Sequence, residues 1–321
     1  MKVSIVIPVY NVEHYIGECF DSIVAQTYSG DMECLFVDDC GTDNSVRLLE
    51  DRIENYKGQI KFEIIHMVHN SGPSCARNQG ILHATGDYVL FVDSDDTLFP
   101  NAIAQMVVLA EKHPGVDVVQ SFAKSSLGWL RYEGKSLPEY SSDSRWLKST
   151  MLQRLVIPMT VWNKLIRRQM VMENHLFFEE GIAYEDELWN FMLAKYVRDM
   201  AFCKNLTYEY REVLTGLSHS VENKDLSEAV QLMVSRLSGP CLCEEILCVA
   251  GLAKKANYID GIRQILQIGG AKWLLSITER VQMSSKYSMS GLVYRALYRL
   301  TVAYVNVCFM CRKHTDKDRW E

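Results

Sequence analysis

The segment from residue 69 to residue 96 reads HNSGPSCARNQGILHATGDYVLFVDSDD and ends in three carboxylates within four positions, Asp93, Asp95 and Asp96. Just before them, Tyr88–Val92 is apolar, aromatic and β-branched, as a buried strand of a parallel sheet should be. The acids therefore fall at the carboxyl end of a strand, the edge where open α/β sheets bind ligands. A divalent cation or a polar substrate would compensate these like charges. For an isolated D-x-D, a solvated acidic turn is the alternative.

The length and composition of the chain favour a soluble globular protein with one large α/β domain and an appendage. Its 321 residues are 48% hydrophobic and 23% charged, and the formal net charge is -6. Between Lys254 and Lys313, ten Lys or Arg residues stand against only Asp260 and Glu279, a local charge of +8. We expect this basic region to face anionic lipid or another acidic surface, with a solvated helical face as the alternative.

The ten cysteines are spread over the whole chain, without the density of a disulfide framework. The first ten residues carry a strand that Pro8 stops, and they do not resemble a signal peptide. A reducing, cytoplasmic environment is therefore expected.

The N-terminal part of the chain alternates between short β-branched runs and segments with apolar residues at helical spacing. Such alternation predicts right-handed βαβ crossovers and a doubly wound α/β sheet. The absence of G-x-G-x-x-G after the first strand, and of G-x-x-x-x-G-K-[ST] anywhere, argues against dinucleotide-binding and P-loop proteins. The predicted strands are Val3–Ile7, Cys34–Val37, Lys61–Met67, Tyr88–Val92 and Val116–Gln120, with helices between them.

Five short motifs follow one another along the chain: VSIVIPVYN, LFVDDCGTDNS, HNSGPSCARNQG, GDYVLFVDSDD and YEDELW. Together, over about 190 residues, they resemble family 2 of the glycosyltransferases, inverting nucleotide-sugar-dependent enzymes with the GT-A fold. The resemblance implies a Rossmann-like, mixed but mostly parallel sheet. One departure is Cys40, which stands where a glycine is common in the family's DDGSTD turn, so a slight shift of that turn is expected.

The resemblance implies a nucleobase site at the first two strand ends. Pro8, Tyr10 and Asp39 would surround the base, where Tyr10 offers a stacking face and an ionised Asp39 can accept an imide N–H from uracil. UDP is preferred to GDP on family frequency alone, since guanine also carries an N–H that Asp39 could accept. From local sequence, Asp38-Asp39 could equally be a helix-capping turn.

The same resemblance assigns the acidic turn to the phosphate side of the donor. Asp93 and Ser94 would contact the ribose or nucleotide, and Asp95 would ligate Mg²⁺ or Mn²⁺ bridging the diphosphate. Asp96 would bind the donor sugar or only cap the turn. Arg77 matches the family's diphosphate or donor-sugar contact, with a surface arginine as the alternative.

The catalytic base is expected in YEDELW, because attack by an acceptor hydroxyl needs a carboxylate opposite the leaving group. Glu185 and Asp186 precede an apolar helical stripe, so both fall in a first turn where the helix dipole favours ionised carboxylates. The family pattern places the base at the second acid, Asp186. An ordinary acidic helix start would look the same.

Two further segments resemble the family's acceptor side and its mobile loop. In the first, Trp162 would stack on an acceptor sugar with Lys164 nearby, and a buried tryptophan is the alternative. The second, Tyr210–Ser220, stands where related enzymes close a loop over the donor diphosphate, and His219 is its candidate metal or phosphate contact.

A domain boundary is predicted near residue 220, which gives a catalytic domain over residues 1-220 and a helical region over residues 221-321. Asp225–Glu228 resembles a capping box that opens a helix. Residues 292-310 are mostly apolar, but two arginines and an asparagine would be costly in hydrocarbon. An interfacial helix on an anionic membrane and a helix packed on the catalytic domain are the two expectations.

Together with the resemblance, the sequence predicts a cytoplasmic, metal-dependent, inverting glycosyltransferase that is peripheral to the inner membrane face. It would transfer a sugar from a nucleotide diphosphate sugar to a glycan or lipid-linked saccharide in surface polysaccharide synthesis, with no nucleic-acid partner. A non-catalytic nucleotide-sugar-binding or scaffold subunit stays open, as does a nucleotidyltransferase, whose glycine-rich N-terminal loop is missing.

Overall fold

The computed structural model describes residues 1–125, 137–152, 157–213 and 226–236. The chain divides into two compact units. The first comprises Met1–Gly181 and Glu185–His219, and the second comprises Ile182–Tyr184 and Ser220–Glu321. Most of the second unit, including the apolar run at residues 292-310, lies outside the described residues, so its predicted helical and membrane-associating character stays a prediction.

Nine strands, β1 to β9 in chain order, form one mixed sheet in the described part of the chain. They span Val3–Val9, Met32–Asp38, Lys61–His66, Tyr88–Phe91, Thr97–Leu98, Val118–Ser125, Tyr140–Ser141, Lys164–Arg167 and Met200–Tyr210. Their order is β3-β2-β1-β4-β8-β6-β9-β5, with β7 also paired to β9. Strands β3, β2, β1 and β4 are parallel, whereas β8 runs antiparallel between β4 and β6.

The described residues also form eight helices, α1 to α8 in chain order. They span Ile16–Val24, Ser45–Asn55, Gly72–His83, Ala102–Lys112, Ser144–Leu152, Arg168–Glu173, Glu185–Tyr196 and Leu226–Ser235. Helix α8 lies in the second unit and begins directly after the predicted cap. Among the helices described, none is both long and apolar enough to cross a membrane.

The predicted alternation of strands and helices is confirmed from β1 to β4, and two strand limits are corrected. Strand β1 continues through Pro8 to Val9. Strand β4 pairs with β1 only as far as Val6, so Pro8 has a neighbour on one side alone, where sheets tolerate proline. The fifth predicted strand begins later than expected, at Val118, and runs on to Ser125 in parallel pairing with β9.

Close packing of α3 on the sheet positions the strand ends that carry the polar residues. Strand β1 is almost wholly buried, and α3 crosses it at Gly80. A β-carbon at Gly80 would come within 2.1 Å of Val6 Cγ1, so only glycine permits this approach. Because β1, β2 and β4 are parallel, their carboxyl ends lie at one edge of the sheet, where Asp39 accepts N–H groups from the start of α3.

Candidate active site

The predicted nucleobase residues lie together at the ends of β1 and β2. The Asp39 N–H donates to the Val9 carbonyl over 2.9 Å, which joins the two strand ends. Tyr10 follows β1 and is 47% exposed, so its ring face is open to a ligand, whereas Asp39 is buried. The Asp39 carboxylate accepts the Ser71 N–H at 2.7 Å and the Gly72 N–H at 2.8 Å. A carboxylate offers about four acceptor positions, so about two stay open on Asp39.

Asp38 and Asp39, in the loop after β2, do not cap helix α2. Asp38 accepts the Gly41 N–H at 3.2 Å, and Asp43 accepts the Ser45 N–H at 3.0 Å where α2 begins. Cys40 has a φ of 57°, the left-handed conformation that glycine adopts at little cost. The cysteine thus follows the conformation that the family's glycine favours.

The acidic turn after β4 contains two kinds of aspartate. Asp93 and Asp95 are half-buried, whereas Asp96 is fully buried. Asp96 Oδ2 accepts the Tyr208 hydroxyl at 2.6 Å, and its Oδ1 accepts the Arg211 N–H at 2.6 Å. Of the two roles expected for Asp96, holding the turn is therefore the one that its contacts support.

Burial and neighbouring negative charges disfavour the ionised forms of Asp95 and Asp96. Burial, followed by the negative charge of Asp93, raises the pKa of Asp95 to about 6. Burial, then Asp93 and Asp95, raises the pKa of Asp96 well above its usual range. Such a cluster favours a compensating cation close to Asp95.

The donor set suits a metal ion that is shared with a substrate. In the described part of the chain, no three His, Cys, Asp or Glu side chains are grouped so that they could hold a metal ion by themselves. Mg²⁺ and Mn²⁺ prefer carboxylate oxygens, and Mg²⁺ usually binds one or two carboxylates together with substrate phosphates. Asp95, with its raised pKa, and Asp93 beside it are the residues that fit this mode.

Arg77 joins the acidic turn to Glu185, the residue before the predicted base Asp186. Its guanidinium lies 2.9 Å from Asp93 Oδ1 and 2.8 Å from Glu185 Oε1, and it stands over the ring of Phe178. Only 6% of Arg77 is exposed, so the alternative of a surface arginine is wrong. Burial opposes the charge of Arg77, but Asp93 and Glu185 outweigh burial and raise its pKa above the usual value. The acidic turn and the YEDELW motif, which are distant in sequence, thus share the guanidinium of Arg77.

The helix predicted after Tyr184 is confirmed and begins at Glu185. Asp186 accepts the N–H of Glu187 at 2.8 Å, which places its carboxylate at the positive end of the helix dipole. Asn190 donates one hydrogen bond to the Asp186 carbonyl at 2.9 Å and another to the Met159 carbonyl at 2.8 Å. The start of α7 is therefore fixed against the segment that precedes β8.

Both residues predicted on the acceptor side are buried. Trp162 is 6% exposed and stacks on Tyr208, with 4.5 Å between ring centroids, which agrees with the buried-tryptophan alternative. Lys164 is fully buried, and its ammonium donates to the carbonyls of Pro158 at 2.8 Å and Thr160 at 2.5 Å. Burial lowers the pKa of Lys164 to about 7, and the charge of Asp186 opposes the shift. His219 lies outside the described residues.

Tyr208 contacts the acidic turn and was not singled out from the sequence. Its hydroxyl also accepts the Asp93 N–H at 3.1 Å, so it contacts both ends of the acidic turn. The last five residues of β9, LTYEY, alternate between apolar or aromatic and polar residues, and this is a local signal that would have placed Tyr208 in a strand.

Comparison with known proteins identifies the family of this chain. A family model described as "Glycosyl transferase family 2" matches residues 4–174, which is more than half of the chain. The chain therefore belongs to glycosyltransferase family 2.

One relative, the poly(ribitol-phosphate) beta-glucosyltransferase of Bacillus spizizenii, is 31% identical over 213 residues, or 65% of this chain and 32% of that protein. The chain spans between about a third and two thirds of the lengths of the curated relatives it matches.

Two solved structures share the GT-A fold with this chain. Staphylococcus aureus TarS 1-349 in complex with UDP-GlcNAc matches with a TM-score of 0.67 and 21% identity over 97% of this chain and 92% of TarS 1-349. The mannosyltransferase PcManGT of Pyrobaculum calidifontis, in complex with GDP-Man and Mn²⁺, matches with a TM-score of 0.55 and 16% identity over 94% and 84% of the two chains.

Proposed function

We propose that this family 2 glycosyltransferase moves a sugar from a UDP-sugar to a glycan or lipid-linked saccharide, with inversion at the anomeric carbon. The observation that carries the proposal is the double ion pair of Arg77, which brings the acidic turn and the start of α7 to one edge of the sheet. Support for the donor and pathway comes from TarS, solved with UDP-GlcNAc, and from the Bacillus relative that glucosylates poly(ribitol-phosphate). Surface polysaccharide or glycoconjugate synthesis is the corresponding process.

In the proposed donor site, Tyr10 stacks on the nucleobase beside Pro8, and Asp39 accepts a base N–H with its remaining lone pairs. Asp93 and Ser94 contact the ribose side of the nucleotide. Arg77 is already paired with two carboxylates, so its main role is to orient Asp93 and Glu185 rather than to bind phosphate alone.

The proposed cofactor is Mg²⁺ or Mn²⁺, held by Asp95. Support comes from the raised pKa of Asp95 and from the Mn²⁺ in the Pyrobaculum structure. When bound, the ion stabilises negative charge on the departing diphosphate. Asp95 and Asp93 orient the ion, and Asp96 maintains the conformation of the turn.

The proposed base is Asp186, which accepts the proton of the acceptor hydroxyl as the new glycosidic bond forms in a single displacement. Glu185 is a weaker candidate because its carboxylate is committed to Arg77. The burial of Trp162 and Lys164 supports a role in the wall behind the acceptor rather than direct contact with it. His219 remains a proposed contact to metal or phosphate.

We further propose a cytoplasmic enzyme that acts at the inner membrane face, with contact made by the C-terminal region. The basic excess between residues 254 and 313 supports contact with anionic lipid.

Replacement of Asp186 by Asn tests the proposed base. We expect turnover to fall by about 10²- to 10⁴-fold, the usual contribution of a general base, while UDP-sugar binding measured by calorimetry stays near wild type. Asp51→Asn, on an exposed position of α2, is the matched control and should leave both unchanged. Full turnover by Asp186→Asn would remove Asp186 as the base.

A further inference from the structure

The ring of Tyr208 is held in place on β9 by aromatic neighbours. Tyr208 is fully buried, and the indole of Trp162 lies nearly parallel to its ring, with an angle of 10° between the two planes. Tyr210, two residues further on the same face of the strand, also stacks on Trp162 with a centroid distance of 5.9 Å. A phenol packed in this way has few orientations open to it, so the position of its hydroxyl is fixed by the sheet.

The fixed hydroxyl contacts the acidic turn at both of its ends. It accepts the Asp93 N–H at 3.1 Å and donates to Asp96 Oδ2 at 2.6 Å. Within the turn, the Asp96 N–H donates to the Asp93 carbonyl at 3.1 Å. Asp95 lies between these two anchors, so the path of the backbone that carries Asp95 depends on a side chain from another strand.

A buried tyrosine hydroxyl needs only one hydrogen-bond partner to be satisfied. Here the hydroxyl uses both its donor and its acceptor on one turn, and that turn carries the carboxylate proposed to bind the cation. The role of such a contact is to fix ligand geometry before the metal arrives, which is how residues behind metal ligands raise metal affinity.

We propose that Tyr208 is a positioning residue for the metal-binding turn and that its hydroxyl sets the affinity of the enzyme for Mg²⁺ or Mn²⁺. The inference rests on the proposed function, since it assumes that Asp95 ligates the ion. It adds a determinant of metal affinity that lies on β9, outside the acidic motif itself.

The test is Mn²⁺ binding to the full-length chain, measured by electron paramagnetic resonance in the presence of saturating UDP. Tyr208→Phe removes the hydroxyl and keeps the ring. We expect it to weaken Mn²⁺ binding by at least about 10-fold, the usual effect of losing a residue that orients a metal ligand.

The matched control is Tyr140→Phe, because Tyr140 also donates its hydroxyl to an aspartate, Asp199, at 3.0 Å, at the opposite end of β9. It should bind Mn²⁺ as wild type does. If the Tyr208 hydroxyl served only the stability of the fold, Tyr208→Phe and Tyr140→Phe would both bind Mn²⁺ as wild type does. Excess Mn²⁺ should also restore most of the turnover of Tyr208→Phe.

Trp162→Leu gives a second variant in case Tyr208→Phe does not fold. It keeps the hydroxyl but removes the ring that holds it, so Mn²⁺ binding should weaken by a smaller factor. Wild-type Mn²⁺ affinity in a folded Tyr208→Phe chain, or in a folded Trp162→Leu chain, would overturn the inference. If wild type itself binds no Mn²⁺ with UDP or GDP, the proposed metal dependence fails first, and the inference fails with it.

Discussion

Lys164 allows a quantitative prediction about stability, because it is a fully buried lysine whose pKa is about 7 in the folded chain. In the unfolded chain a lysine titrates near a pKa of about 10.4. Between these two values the unfolded chain binds more protons than the folded chain, so the free energy of unfolding rises with pH. Below about pH 7 both forms are protonated and the contribution of Lys164 no longer changes with pH.

The expected size of the effect follows from the two pKa values. Raising the pH from about 7 to about 8.5 should add about 1.5 kcal/mol to the free energy of unfolding through Lys164 alone. Lys164→Met has similar length and no titrating group, so it should lose this increment. It also loses the hydrogen bonds to Pro158 and Thr160, but that loss shifts the stability at both pH values and cancels in the difference.

The assay is urea unfolding followed by tryptophan fluorescence, for wild type and variant at both pH values. Subtracting the variant from wild type removes the contributions of other titrating groups, which both proteins share. Lys57→Met, at an exposed lysine of the first unit, is the control and should follow wild type. Equal pH slopes for wild type and Lys164→Met would refute the account of a buried lysine that loses its proton near neutrality.

Two further predictions concern packing around the site, and urea unfolding measures both. Arg77→Ala should lower the free energy of unfolding by about 3 to 5 kcal/mol, because Asp93 and Glu185 would stay buried without the guanidinium that they share. A loss below about 1 kcal/mol would mean that water already screens these ion pairs. Gly80→Ala should cost about 1 to 3 kcal/mol through the clash with Val6, and wild-type stability would show that α3 can move away from β1 without strain.

The first half of the fold was predictable because its signals are local. Strands β1, β2 and β4 are short, mostly apolar runs, and polar residues such as Asp39 and Asp93 follow them at the carboxyl edge of a parallel sheet. The antiparallel strand β8 and the long strand β9 were not predicted. Their positions between and beside distant strands depend on pairing across the sheet, which single-sequence periodicity does not encode.

The proposed site residues come from the motifs and stay a prediction, and the contacts among them could not be predicted. From its motif, Arg77 was expected to contact the diphosphate or the donor sugar, whereas its two ion pairs join residues 16 and 108 positions away. For Trp162 the sequence left an acceptor-stacking ring and a buried ring open, and stacking on Tyr208 of β9 agrees with the buried one. Tyr208 carried no motif at all. These contacts are set by tertiary packing, which fixes the geometry of the site after the motifs fix its chemistry.

The most direct test of the proposed function is donor consumption by the full-length chain. A panel of UDP- and GDP-sugars would be assayed with Mn²⁺ and with chelator, for wild type and Asp95→Ala. We expect wild type to consume a UDP-sugar only when Mn²⁺ is present, and Asp95→Ala to consume none. Equal consumption with chelator, or by Asp95→Ala, would contradict the metal role of the acidic turn. Tight donor binding without consumption, even with lipid-linked acceptors supplied, would instead favour a nucleotide-sugar-binding subunit without catalysis.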